Sequence, residues 1–463
     1  MNHRERFFAT IARQHVDRPA CWLGIPVPNA LPNLFKYFNV STVDELKEKI
    51  DDDIHPICVP YNNPPTNDIG CSLAFAKGGV GGAQDERTLT APGFFEDMTD
   101  PALVDTFPWP NPKDHINAAV ARQMAMDAPA DKIRMGIMWA CHFQDACSAF
   151  GMENALMTMV AHPDMFKAVI DRITDFYLEC GKIFYEATKG YLDAVLIGND
   201  FGSQRCLMIS REDLQKFVFP GTKRLVDQAK SYGLKVVHHS CGSIYPVIND
   251  LFNLGVDIIH PIQAKAKDMG VEKLSKDFIS GSFFGGIDAQ HLLVNGTKEE
   301  VKEAVRHARK EFPTGLILSP SHEAILPDIK PENIEAMFEA AHEDEKHVEK
   351  KRYGQVIALD PETAAEYKQY HQSVWPKVLN MIKECHINNY SIFFKDNYLF
   401  SYYEYEGTDY EADMAKMAAD PVTLKWWSVV MPLQKPLETR KEGEWWADMD
   451  EVFHFEWKDK KPL

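Results

Sequence analysis

His239 and Cys241 stand two residues apart at the end of a short apolar run, Lys235-Val-Val-His-His239. In an extended chain residues i and i+2 point the same way, so imidazole and thiol project together. Such a pair suits zinc, and one further protein ligand would leave a coordination position open for chemistry. His322 is the expected third ligand, with Asp200 and Glu323 as possible oxygen donors. The same spacing equally describes a buried histidine beside an inert cysteine, and spacing by itself leaves both readings standing. His238, one position earlier, should face the other way and be structural. A second group lies far along the chain. Tyr367, His371 and Trp375 fall at i, i+4 and i+8, one face of a helix expected over 361–385. Trp426-Trp427 and Trp445-Trp446 add more indole than a small core needs, and Asn389-Tyr390 and His454 add polar groups near strand ends. Aromatic faces with a few hydrogen-bonding groups are how proteins hold the C–H faces and hydroxyls of a sugar.

The elements that would position the first group are short β-rich runs alternating with amphipathic helices. The expected strands cover 20–25, 54–60, 133–139, 192–198, 235–239, 257–260, 280–285 and 315–318, and helical patterns fill most of the intervals. Eight strands with helical crossovers predict an α/β fold, a (β/α)8 TIM barrel, with a doubly wound open sheet as the other possibility. In a barrel the chemistry sits where strands end. Five successive exits carry polar groups: Asn199-Asp200, His239-Ser-Cys241, His260-Pro-Ile-Gln263, Asp288 and Ser321-His322-Glu323. Asp200 and His322 are the catalytic candidates there, and Gln263 and Asp288 the candidate substrate contacts. The stretch 61–115 breaks the rhythm and reads as an insertion. Its Gly78-Gly-Val-Gly-Gly82 lacks the lysine and Ser/Thr of a phosphate loop and predicts a hairpin turn. Asp51–Asp53 reads as a solvated helix end.

The grammar changes after the charged run His342–Arg352. Six of the nine tryptophans lie beyond it, and the boundary is placed at 350–353, giving units 1–350 and 353–463. The second reads strand, helix, two strands, helix, strand: 353–359, 361–385, 390–394, 399–405, 410–418 and 451–457. That order predicts an α+β ferredoxin-like domain.

The 463 residues suffice for two or three domains with a large core. Acidic residues outnumber basic ones 68 to 50, a formal charge of −18, which argues against nucleic acid or anionic membrane as partner. Nine scattered cysteines and a polar N-terminus are expected of a cytoplasmic protein with reduced thiols.

Two resemblances follow from these residues. Gly198-Asn-Asp-Phe-Gly-Ser-Gln204, Leu207-Met-Ile-Ser210, His239-Ser-Cys-Gly242, Asp257–Gln263, Gly286-Ile-Asp288 and Ser321-His322 resemble the uroporphyrinogen decarboxylase superfamily, as does the opening Asn2–Phe7 with Asp17-Arg-Pro19. The resemblance covers most of 1–342 and implies a (β/α)8 barrel. One branch of that superfamily decarboxylates a polycarboxylate tetrapyrrole, held by an arginine-rich segment after the first strand. Here that place reads Trp22-Leu-Gly-Ile-Pro26, and burying carboxylates without cations is costly. The other branch comprises zinc- and cobalamin-dependent methyltransferases, whose zinc holds an acceptor thiol as thiolate. His239 and Cys241 match its ligand pair, while His322 replaces its later cysteine. The resemblance also implies a methyl donor and a corrinoid, the latter on a separate protein.

Glu366-Tyr367, His371, Val374-Trp-Pro376, Asn389-Tyr-Ser-Ile-Phe393, Trp426-Trp427 and Glu451-Val-Phe453 resemble the L-rhamnose mutarotase family. The family is a homodimer of ferredoxin-like (dimeric α/β-barrel) subunits that interconverts the anomers of a deoxyhexose. By this resemblance His371 is the acid/base, Tyr367 hydrogen-bonds the sugar, and Trp375, Trp426 and Trp427 are stacking walls, with Asn389 as a further substrate contact. The stretch 432–449 departs from the family pattern. Together the two resemblances predict a methyltransferase-like barrel fused to a sugar mutarotase. The alternative is a metal-independent decarboxylase-like barrel carrying a sugar-sensing or dimerising module.

Overall fold

The computed structural model describes residues 1–61, 93–343, 350–407 and 409–455. The chain divides into two compact units, Met1–Glu343 and Asp344–Leu463.

The first unit is built on a seven-stranded parallel sheet whose strands follow sequence order. They are β1 (Ile54–Cys58), β2 (Ile133–Trp139), β3 (Ala194–Gly198), β4 (Lys235–His239), β5 (Ile258–Ile262), β6 (Ser282–Ile287) and β7 (Leu316–Pro320). Strands β3, β5 and β7 are buried at every position, the signature of a parallel sheet covered on both faces. On one face, side chains from all seven strands meet in one cluster with Phe7, Ala20 and Trp22. Such a cluster requires the sheet to curl around it. The other face packs against helices, chiefly the 25-residue helix Pro163–Ala187, which begins with proline where the missing N–H costs nothing.

The eighth expected strand, 20–25, is not a ladder strand. Cys21 makes an isolated bridge to Leu318, and Ile25–Pro26 pairs with Ala324–Ile325. Pro19 and Pro26 supply no N–H, and Gly24 sits at φ +95°, so no regular ladder can run through the segment. Its backbone is nevertheless bonded on both sides: Leu318 N–H to Ala20 and Trp22 N–H to Leu318, with Asp53 N–H to Cys21.

Asp51 is exposed at a helix end, but the other two aspartates of the triplet are not solvated. Asp53 is wholly buried, accepting from Arg6 and Arg18 at 2.7 Å each and from the Cys21 amide. Asp52, equally buried, takes Lys47 and the Leu23 and Ile54 amides. The sequence reading went astray because the balancing cations are 5 to 47 residues away. Gly78–Gly82 lies outside the described residues.

The second unit carries an antiparallel sheet of β8 (Lys351–Leu359), β9 (Ile387–Lys395), β10 (Tyr398–Tyr405) and β11 (Gln434–Lys435), ordered β9-β10-β8-β11. A short β12 (Ala447–Met449) also pairs with β8. The closing strand expected at 451–457 is thus replaced by β12: residues 451–455 are irregular, and 456–463 lie outside the described residues. The long helix expected over 361–385 is two, α1 (Ala364–His371) and α2 (Pro376–Glu384). Pro376 explains the break, since it biases Trp375 to extended backbone (φ −60°, ψ 132°) and starts a new helix at its own position. Two helices, α3 (Tyr410–Ala419) and α4 (Pro421–Val430), follow β10 where one was expected, again divided by a proline. Among the described residues no helix is long and apolar enough to cross a membrane.

Candidate functional site

In the first unit the exits of β2, β3, β4, β5 and β7 converge on His239. Gly198 lets β3 approach closely, for a Cβ there would strike the His239 backbone. The His239 ring is buried, with Nε2 3.3 Å from Asp200 Oδ1 and 3.5 Å from Cys241 Sγ. Its Nδ1 lies 2.9 Å from His260 Nδ1 and 3.4 Å from Glu323 Oε2. Trp139 meets the ring edge-on at 5.2 Å. Both Trp139 and Ala140 have left-handed backbone, φ 62° and 56°, beside a register shift between β2 and β3. Strained non-glycine backbone at a strand exit is commonly held in place for function.

Gln144 clamps Asp200, its Oε1 accepting from the Asp200 amide at 3.0 Å and its Nε2 donating to Oδ2 at 3.3 Å. Asp200 also accepts the Cys241 amide at 2.7 Å. Burial pushes its carboxyl up, but the His239 hydrogen bond and charge outweigh that and hold it at about 2. For His239 burial opposes the charge, yet Glu323, Cys241 and Asp200 raise it well above the ordinary histidine value. Burial likewise raises the Cys241 thiol, and His239 and His322 bring it below its ordinary value. His260, buried beside the His239 ring, is pushed well down by burial and by the charges of His239 and His322, and stays neutral.

Among the described residues two overlapping groups could hold a metal, each with its ligand atoms within 4.8 Å of one another: Asp200, His239 and Cys241, and His239, His260 and Glu323. His322, expected as the third ligand, is in neither. Its Nδ1 accepts the Ala324 amide at 3.0 Å, which leaves the other side of the ring to hydrogen-bond Cys241. Asp200 lies in the first group, beside His239 and Cys241. Gln263 is buried beside Cys241, its Oε1 accepting the Gly242 amide at 2.5 Å. Asp288 stands apart from this set: one oxygen caps the Gln290 and His291 amides and the other lies 3.9 Å from Lys265 Nζ. His238 is wholly buried 5.7 Å from Phe201, and burial lowers it to about 3, which fits a neutral structural ring. His260 was named as a polar group at a strand exit but given no site role, and Trp139 and Gln144 were missed altogether. The strand-exit rule, carried one strand earlier and read residue by residue, would have found them.

In the second unit α1 presents Tyr367 and His371 one turn apart, their rings stacked at 4.2 Å and 24°. The His371 Nδ1–H donates to the Tyr367 carbonyl at 3.0 Å, so Nε2 carries the lone pair. Burial lowers the His371 value below the ordinary one, so the ring is neutral at pH 7. Trp426 of α4 stands 5.4 Å from His371 and 5.3 Å from Trp375, forming one aromatic wall. The helix break does not remove Trp375 from this wall. Trp427, about 100° round the helix from Trp426, packs against both apolar clusters of the unit, including the one that holds Tyr367 and Trp426. Asn389 sits exposed at the β9 bulge (φ 48°), its Nδ2 3.3 Å from Glu404. Gln434 of β11 is buried and donates to the Tyr367 hydroxyl at 3.3 Å.

The first centre thus belongs to an α/β unit with a curled parallel sheet and a His–Cys–carboxylate mouth, the second to an antiparallel-sheet unit with an aromatic pocket around one neutral histidine. Comparison with known proteins agrees with that division. Residues 119–344 match the uroporphyrinogen decarboxylase (URO-D) family, and residues 352–455 match the L-rhamnose mutarotase family. The L-rhamnose mutarotase of Oceanobacillus iheyensis is 32% identical over 108 residues, covering 23% of this chain and 99% of that protein. That of Mannheimia succiniciproducens is 37% identical over 86 residues, 18% of this chain and 80% of the relative. Among solved structures, a methyltransferase from Methanosarcina mazei superposes with TM-score 0.52 at 15% identity, over 74% of this chain and 99% of the other, a likeness of fold. The chain belongs to the L-rhamnose mutarotase family through its C-terminal unit, which is fused to a URO-D-type domain.

Proposed function

We propose that the protein is a two-centre enzyme: a sugar mutarotase acting on L-rhamnose or a related deoxyhexose, joined to a methyltransferase-type centre in a barrel closed through the segment Ala20–Trp22. The stacked Tyr367–His371 pair carries the first half of this reading. Mutarotation needs one proton to reach the ring oxygen while another leaves the anomeric hydroxyl. His371 Nε2 takes the anomeric proton and the Tyr367 O–H gives one to the ring oxygen. The C1–O5 bond then breaks to the open aldehyde. Rotation about C1–C2 and the reverse transfers close the other anomer, so no atom is gained or lost. Trp375 and Trp426 pack against the C–H faces of the sugar. A ferredoxin-like subunit paired as a homodimer completes the reading.

At the first centre the donor chemistry fits zinc: a soft sulfur, an imidazole nitrogen and a carboxylate oxygen lie together, and the thiol is already drawn towards thiolate. His239, Cys241 and Asp200 would hold the ion, which when bound supplies a deprotonated acceptor thiol for methyl transfer. Gln144 fixes the Asp200 carboxylate, His322 hydrogen-bonds Cys241, and Gln263 fixes the Gly242 backbone beside it. The mouth is acidic and Trp22–Pro26 brings no arginine to it, which disfavours a polycarboxylate substrate. A corrinoid protein is the proposed methyl donor, and an O-methyl deoxyhexose would give the two centres a common route. The second reading, metal-free decarboxylase-like chemistry, draws on the Asp200–His239–Glu323 contacts, which balance charge without an ion.

Two experiments on the full chain test these halves. Saturation-transfer NMR on L-rhamnose should show anomeric exchange that His371→Ala abolishes; wild-type protein without exchange refutes the mutarotase half, and sugar binding without exchange turns the unit into a sensor. Metal analysis should find near-stoichiometric zinc that Cys241→Ser loses, whereas folded, metal-free wild type moves the first centre to the second reading.

A further inference from the structure

We infer that Gln434 and Trp445, from the stretch that departs from the mutarotase pattern, form a polar clamp that positions the Tyr367 hydroxyl as a proton donor to the sugar. The inference rests on the mutarotase reading above and goes beyond it. An indole N–H can only donate, and Trp445 Nε1 lies 2.7 Å from the Gln434 side-chain oxygen. That contact settles which end of the amide faces which way: Oε1 towards Trp445, and Nε2 towards the Tyr367 hydroxyl at 3.3 Å. The phenol oxygen is therefore an acceptor on its buried side. Its own proton cannot point at Gln434 Nε2, which offers only hydrogens, and is left for a ligand.

The clamp is held by backbone as well as side chain. Gln434 stands on β11 in register with Leu359 of β8, and the Leu433 carbonyl accepts the Asp360 amide at 3.3 Å just before α1 begins. Gln434 is 8% exposed and Tyr367 3%, so this hydrogen bond is shielded from water, where an amide costs most to leave unpaired. Burial also keeps the phenol protonated, raising Tyr367 well above the ordinary tyrosine range. With the Nδ1–H of His371 committed to the Tyr367 carbonyl, this pair offers the pocket one donor, the Tyr367 O–H, and one acceptor, His371 Nε2. Those are the two partners that ring opening requires. Gln434 and Trp445 are positioning residues acting through Tyr367.

Gln434→Glu is the discriminating variant, because its neutral carboxyl copies the amide while its carboxylate reverses the bond. When ionised, the introduced side chain can only accept, so it draws the Tyr367 proton inward. When protonated, it accepts from Trp445 and donates to Tyr367 as glutamine does. In full-length protein, anomeric exchange of L-rhamnose should fall about 10-fold or more for Gln434→Glu at pH 8, with KM nearly unchanged. The ratio of variant to wild-type rate should climb towards one as pH falls to 5. Gln434→Leu should lose about 3- to 10-fold at every pH, and Trp445→Phe, which frees the amide to flip, about 2- to 5-fold. A pH-independent ratio for Gln434→Glu, or wild-type rates from all three variants, overturns the assignment while leaving the mutarotase reading intact. Wild-type protein without exchange overturns both.

Discussion

The two centres surround their central histidines in opposite ways. His239 is buried among charges: carboxylates on both ring nitrogens, a thiol, and a second imidazole. Its environment raises its proton affinity well above the ordinary value, against the cost of burial. His371 is surrounded by rings and one backbone carbonyl, and burial lowers its proton affinity. The first environment suits holding a cation, whether proton or metal. The second suits a neutral base that takes a proton and returns it within one turnover. Burial acts the same way on both imidazoles, and what differs is whether carboxylates sit within about 3.5 Å to outweigh it.

That contrast can be broken most directly at His371. Replacing it with alanine should cut anomeric exchange about 100- to 10,000-fold, while metal content at the first centre stays unchanged. A coupled loss at both centres would contradict their independence. Next in size, Cys241→Ser should weaken zinc binding more than about 100-fold by metal-competition titration, since even outer partners of a ligand are worth 10- to 100-fold. Exchange of L-rhamnose by the same variant should remain that of wild type.

Acid should affect the two centres for different reasons. On the proposed mechanism exchange needs neutral His371, which burial holds below the ordinary histidine value, so the rate should be flat above neutrality. On acidification it should fall roughly tenfold per pH unit once the ring is protonated. At the proposed zinc site, binding would have to displace protons from His239, which holds them to higher pH, so affinity should already be declining as pH drops through neutrality. Titrating both activities across pH 5–8 would show zinc lost first, and the reverse order would refute the charge assignment. The smallest effect is expected at Asn389, exposed and only 3.3 Å from Glu404: Asn389→Ala should raise KM about 2- to 5-fold and leave kcat alone.

Much of this organisation was legible from residue order. Several strands of the parallel sheet are short aliphatic runs, such as Ala194–Gly198 and Leu316–Pro320, and the polar groups that follow mark the mouth because parallel strands all deliver their ends to one side. The i, i+4 spacing of Tyr367 and His371 placed them together, since one helical turn joins them whatever surrounds it. Proline was underweighted at Pro376, which split the expected long helix; the helix expected over 410–418 stands, and Pro421 opens a further helix that was not expected. Trp375 kept its place against Trp426 by tertiary packing, not by helical phase.

By itself the sequence determined which residues could do chemistry, because ligand pairs, helical neighbours and strand ends are local properties of the chain. It could not say that Asp53 is neutralised by Arg6 and Arg18, that Asp200 rather than His322 completes the compact set around His239, or that Gln434 reaches Tyr367. Each of those facts joins residues 35 to 67 positions apart, or ranks two candidates by their reach. Only the folded chain fixes such distances. The charge a group carries follows from them, since electrostatic influence depends on separation in space and on exclusion of water, not on separation along the chain.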